Sequence, residues 1–212
     1  MKALFCEHPN KPLRSGYCSY YSEIYHSLKE VMDIDHKNFI PTKTSDFNGY
    51  DIVFLGFGHT DCSEGKPVSL IRDSDVLLFP ILNKEYTGLQ NKLDWIREME
   101  ATAGLTVHHD IDEFNKIGIP FYRIMWSANQ NQFKDYGGYY KHDLFFSGVT
   151  RPEQSENLRE RVLSELDRLK DYKLFINARS HRNNYAGTMF NDDEYARLLS
   201  TSKICLVTTG PA

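Results

Sequence analysis

Short apolar runs rich in β-branched and aromatic residues alternate with amphipathic helical stretches along the whole chain, and this alternation restricts the fold more than any other feature. Parallel strands need a long crossover between them, usually a helix, so repeated strand–helix order implies βαβ units. The expected fold class is α/β, built of Rossmann-like parallel sheets. Lys2 to Cys6 reads as the first strand, Glu7 to Ser19 as a polar loop, and Tyr20 to Met32 as a helix. In that helix Tyr21, Ile24, Tyr25, Leu28, Val31 and Met32 recur at intervals that put them on one apolar stripe. Strands are expected at Asn38–Pro41, Asp51–Gly56, Asp75–Pro80, Leu105–His108 and Pro120–Met125, with helices over Leu89–Ala101 and Asp112–Lys116.

Between Ser127 and Lys141 the periodicity lapses into Asn129-Gln130-Asn131-Gln132 and Tyr136-Gly137-Gly138-Tyr139-Tyr140, a linker composition. The pattern then restarts with strands at Asp143–Gly148, Lys173–Asn177 and Ile204–Thr208 and helices at Ser155–Leu169 and Asp192–Ser200. Asn191 is a good N-cap for the last helix, with Glu194 as its capping-box partner. The expected organisation is a first Rossmann-like domain over 1–126, a linker over 127–142 and the first part of a second domain over 143–212. Two such domains ordinarily take about 100 to 200 residues each. At 212 residues the second is expected to be incomplete.

A formal charge of -4 from 25 Lys+Arg and 29 Asp+Glu argues against a nucleic-acid partner, which calls for a concentrated basic face. No apolar run approaches the roughly 18 residues of a membrane span, and Ala3 to Cys6 is too short for a signal-peptide core, so a cytoplasmic chain is expected. Cys6, Cys18, Cys62 and Cys205 lie far apart with no C-x-x-C pair, which reads as reduced thiols. Gly56-Phe57-Gly58 imitates the start of a dinucleotide fingerprint but lacks its third glycine. No cofactor is expected.

Leu82-Asn83-Lys84-Glu85-Tyr86, Asp143-Leu144-Phe145-Phe146-Ser147-Gly148, and Asp193-Glu194-Tyr195 through Ser202-Lys203-Ile204-Cys205-Leu206 resemble the spore-maturation-protein-like glycosyltransferases and their viral and algal relatives. The resemblance covers roughly residues 75 to 212. It implies a GT-B fold with an incomplete second domain and metal-independent transfer of a sugar from a nucleotide-sugar donor to a glycan or glycoconjugate acceptor. In that family the donor belongs mainly to the second domain, and an Arg and an acidic residue beyond a Thr-Thr-Gly-Pro-like strand end hold it. Here that strand end is Thr208-Thr209-Gly210-Pro211, close to the last residue, Ala212.

Such chemistry needs groups that stabilise a departing nucleoside diphosphate and a base for the acceptor hydroxyl, and open α/β sheets collect them at the carboxyl ends of strands. On the acceptor side, the loop after the first strand offers His8 with Arg14, Gly16 and Tyr17; Asn83, Lys84 and Glu85 are grouped with them, although spacing gives these three no role. His109-Asp110 is the catalytic candidate, similar to the His-Asp at the matching strand end in the large retaining GT-B family, where the His faces the donor sugar. A capping histidine and an N-cap aspartate are the structural alternative. The donor candidates are Gly148 with Arg151, then Arg179 and Arg182, then Thr209 and Gly210. Asp33-x-Asp35, Asp73-x-Asp75 and Asp110-x-Asp112 match the D-x-D of metal-dependent GT-A enzymes; the first follows a helix and the second precedes a strand, so Asp110-x-Asp112 alone keeps that class as an alternative beside a non-catalytic α/β binding module. Trp126, Tyr136, Tyr139 and Tyr140 suit either packing between domains or stacking on sugars.

Overall fold

A computed structural model describes residues 1–9, 20–61, 75–82, 88–108, 111–124, 130–150, 165–166, 168–180 and 190–206. The described residues up to Ile124 belong to one compact unit and those from Gln130 onward to a second.

The first unit runs β1 (Ala3–Glu7), α1 (Tyr20–Val31), β2 (Ile34–Asn38), a 3₁₀ turn (Thr44–Phe47), β3 (Ile52–Leu55), α2 (Phe57–Asp61), β4 (Leu77–Leu82), α3 (Leu89–Glu98), β5 (Gly104–Thr106), α4 (Asp112–Asn115) and β6 (Phe121–Arg123). Its six strands lie in the order β2-β1-β3-β4-β5-β6. Every pairing is parallel. Successive side chains of a strand face opposite sides of a sheet, and both sides are apolar here. Leu4, Cys6, Val53 and Leu55 meet Leu93, Ile96 and Met99 from α3 and its end on one side. Ala3, Phe5, Ile52 and Phe54 meet Ile24, Tyr25, Leu28 and Met32 on the other. Helices thus cover both faces, the arrangement of a doubly wound sheet.

Three expectations shift. The second strand is Ile34–Asn38, not Asn38–Pro41: as an edge strand it buries only Ile34 and leaves polar residues wet, so hydropathy pointed too late. The fourth runs to Leu82, since Ile81 and Leu82 pair with β5. Val31 is 77% exposed at the end of α1, off the stripe formed by Ile24, Tyr25, Leu28 and Met32.

The second unit holds β7 (His142–Thr150), β8 (Leu174–Ser180), α5 (Asp192–Ser200) and β9 (Ser202–Leu206), with β7 between β8 and β9, all parallel. β9 begins two residues earlier than hydropathy placed it, because Ser202 pairs with His142 and is itself buried. Glu165 and Leu166 are helical, and the rest of the expected helix from Ser155 lies outside the described residues apart from Arg168 and Leu169. Asn191 caps α5 as expected: its side chain accepts from the Glu194 N–H at 2.9 Å, and Glu194 accepts from the Asn191 N–H at 3.0 Å. The aperiodic segment is bonded to this unit. Tyr136 N–H donates to Ser200 Oγ at 2.9 Å, and Lys141 N–H to the Thr201 carbonyl at 2.8 Å. Among the described residues, no helix is long and apolar enough to cross a membrane.

Candidate functional site

The strand order of the first unit reverses at β1, which leads to β2 on one side while β3 lies on the other. Crevices at such a switch point, beyond the carboxyl ends of the strands, are where open α/β sheets bind ligands. Polar groups gather at this place. Glu7 ends β1 and His8 follows it, each 1% exposed; His59 and Thr60, in the short helix after β3, are 4% and 1% exposed. Polar and ionisable groups are costly to bury without partners, so their concentration at one edge calls for local bonding.

That bonding is visible. His36, at the middle of β2, meets the Glu7 carboxylate at 3.2 Å and is itself partly exposed, which links a buried carboxylate to an imidazole that water reaches. The His8 and His59 rings meet edge to face, centroids 5.3 Å apart. His59 Nε2 lies 3.6 Å from Cys6 Sγ, and that thiol also reaches the Phe39 carbonyl at 3.5 Å. Burial pushes the Cys6 thiol up to about 12, so it keeps its proton at neutral pH and is no resting nucleophile. When that proton points at Phe39, His59 Nε2 is the donor to sulfur.

Two further contacts fix this edge of the sheet. Thr60 Oγ1 donates to the Phe57 and Ile81 carbonyls at 2.8 and 3.0 Å, tying α2 to β4. Lys92, in the first turn of α3, meets Asp61 at 2.8 Å, with side chains only 8% and 5% exposed. A Gly-x-Gly turn directly after β3 brings these groups in: Gly56 N–H donates to the Cys6 carbonyl at 2.8 Å, holding the start of α2 against the end of β1.

Of the residues singled out in the sequence, His8 is part of this cluster. His109, Asp110, Arg14, Gly16, Tyr17, Asn83, Lys84, Glu85, Arg151, Arg182, Thr209 and Gly210 lie outside the described residues, as do Cys18 and Cys62. The neighbouring His108 packs its ring on Phe114 at 5.3 Å. Gly148 and Arg179 were placed at strand ends; the ladder instead continues past both, pairing Gly148 with Ala178 and Val149 with Arg179. In the first D-x-D, Asp35 is engaged by Lys2 at 2.9 Å and the Tyr50 hydroxyl at 2.8 Å, which hold its carboxyl below the usual range.

Glu7 belongs with His8 to the candidate loop after the first strand, whereas sequence patterning does not single out Cys6, His36, His59, Asp61 and Lys92 as site residues. They come from β1, β2, α2 and α3, and only the strand order joins them. A detectable signal was Gly56-Phe57-Gly58 followed at once by His59-Thr60-Asp61 after a buried strand.

No family model, curated protein or solved structure matches the chain.

Proposed function

We propose that this chain is a glycosyltransferase of GT-B type that binds a nucleotide-sugar and passes its sugar to an acceptor hydroxyl without a catalytic metal. The observation that carries the reading is the cluster of buried Glu7, His8 and His59 with the partly exposed His36 at the switch point of a doubly wound sheet. A second parallel sheet in the same chain suits a two-domain transferase. In the proposed step a base takes the acceptor O–H proton, the freed oxygen forms a bond to the anomeric carbon, and the bond from that carbon to the diphosphate breaks. The diphosphate leaves with the electron pair. Glu7, whose carboxylate is tied to partly exposed His36, is suited to take the proton and return it to water through the imidazole. His109 and Asp110, which the resemblance favours for catalysis, remain part of the proposal. A cytoplasmic location, where reduced thiols persist, goes with the same reading.

Incubating the chain with a panel of UDP- and GDP-sugars and mixed acceptors, in EDTA and in manganese, tests it. Release of nucleoside diphosphate in EDTA is expected. Glu7→Gln should lower kcat by about 10² or more while thermal unfolding still reports a folded chain. Turnover that needs manganese favours the metal-dependent alternative. The burial of His8 and His59 also suits a binding module, and nucleotide binding without turnover would favour that reading.

A further inference from the structure

Away from the switch point, the second unit carries a cavity of about 530 Å³ at the amino ends of β7 and β9. This volume falls within the range of ordinary small-molecule sites. Its walls are Phe133, Asp135 and the Gly137-Gly138 turn on one side and Ser200 and Ser202 on the other, with Tyr140 at the rim. The site is held in shape. Asp135 Oδ1 accepts from Gly137 N–H at 2.8 Å and from Ser200 Oγ at 3.3 Å, so one carboxylate pins the loop to α5. Tyr136 donates its hydroxyl hydrogen to the Gln132 carbonyl at 2.7 Å. Gly137 and Gly138 have φ of 68 and 98, a left-handed turn open to glycine that bares the peptide groups.

The loop's packing does not account for its outer tyrosines. Tyr139 and Tyr140 are 95% and 61% exposed, although a tyrosine ring carries a large apolar body. The chemistry of the walls selects among ligands. Lys134, which lines the cavity, and Arg197, which does not, lie 5.7 and 4.5 Å from the centroid of the Tyr136 ring, and an anion beside Lys134 would also face the Asp135 carboxylate. What the cavity offers is an aromatic face, hydroxyls, peptide groups, the Asp135 carboxylate and the Lys134 side chain, a mixed set of hydrogen-bond donors and acceptors of both charges. An ionised carboxylate has about four acceptor positions, so Asp135 has capacity beyond its two internal bonds. A neutral polyhydroxylated ring satisfies all of these groups at once: its C–H face lies on an aromatic ring and its hydroxyls donate to the carboxylate.

We infer that this cavity is a saccharide-binding site, with Tyr140 as the stacking platform and Asp135 as the hydroxyl acceptor. It rests on its own residues and stands or falls apart from sugar transfer at the first unit. Maltotriose, cellotriose and chitotriose, titrated into the full chain without any nucleotide and followed by ¹H–¹⁵N spectra, test it. At least one should saturate, moving Asp135, Gly137, Gly138 and Ser200. Tyr140→Ala should weaken that binding by about tenfold, and Tyr140→Phe should restore most of it. Tyr172→Ala, which removes an exposed tyrosine of the same unit outside the cavity, should leave binding unchanged. The inference is overturned if all three saccharides leave the spectrum unmoved, or if Tyr172→Ala weakens binding as much as Tyr140→Ala does.

Discussion

Both sheets set their first strand between the next two in sequence, β2-β1-β3 in one unit and β8-β7-β9 in the other, yet they bury their strands very differently. In the first unit every residue of β1 and β3 is buried. In the second, Phe145 and Phe146 of β7 are buried, while Ile176 of β8 and Ile204 of β9 are 39% and 59% exposed. The ionisable groups follow the same division. The first sheet closes over Glu7, His8, His59 and the Lys92–Asp61 pair, whereas Lys203–Asp143 of the second lies at the surface. Strand order alone therefore makes no site; the chemistry comes from what the carboxyl edge encloses.

The largest expected contrast is between those two ion pairs. Lys92→Met removes the cation paired with the buried Asp61 carboxylate and should cost about 3 kcal/mol in urea unfolding. Lys203→Met, at an exposed pair, should leave the midpoint almost unchanged. Equal losses would show that burial does not separate the two units.

Two glycines sharpen the comparison sterically. A Cβ on Gly104 would lie 2.6 Å from Cδ1 of Phe121, a ring that is 2% exposed. Gly104→Ala should destabilise by about 2 kcal/mol, and Phe121→Leu in the same chain should recover part of that loss. At Gly138 a Cβ meets nothing within 4 Å, so Gly138→Ala has only its φ of 98 to overcome and should cost about 1 kcal/mol.

The cysteines differ in reactivity at neutral pH and in stability only at alkaline pH. Exposed Cys205 should react with a disulfide reagent in the native chain, while buried Cys6 should react only on unfolding, as single-cysteine variants would report. An unfolded thiol ionises near about 8.5. In the folded chain Cys6 is held to about 12, so above pH 8.5 the unfolded state loses its proton first. The Cys6 contribution to stability should be constant below that pH and fall as pH rises toward 12, a slope that Cys6→Ala takes away.

How far the fold was legible follows from where its residues sit. β1 and β3 read clearly because both of their faces are buried and the sequence is apolar apart from Glu7 at the end of β1. β2 did not, since an edge strand that buries only Ile34 looks like a polar loop. The α5 cap was legible because Asn191 and Glu194 make a local bond that spacing reveals. Of the described site residues, His8 was recognised because it follows a strand directly. His36, His59 and Lys92 were not, because Glu7–His36 and Asp61–Lys92 are contacts between distant segments that exist only once the strand order is known.

The most direct test of the switch-point site is a ¹H–¹⁵N titration of the chain with UDP-glucose and GDP-mannose in EDTA. Saturable shifts at Cys6, Glu7, His8, His36 and His59, weakened in His59→Asn, are expected. Spectra that do not move at these five residues with either nucleotide-sugar would contradict the account.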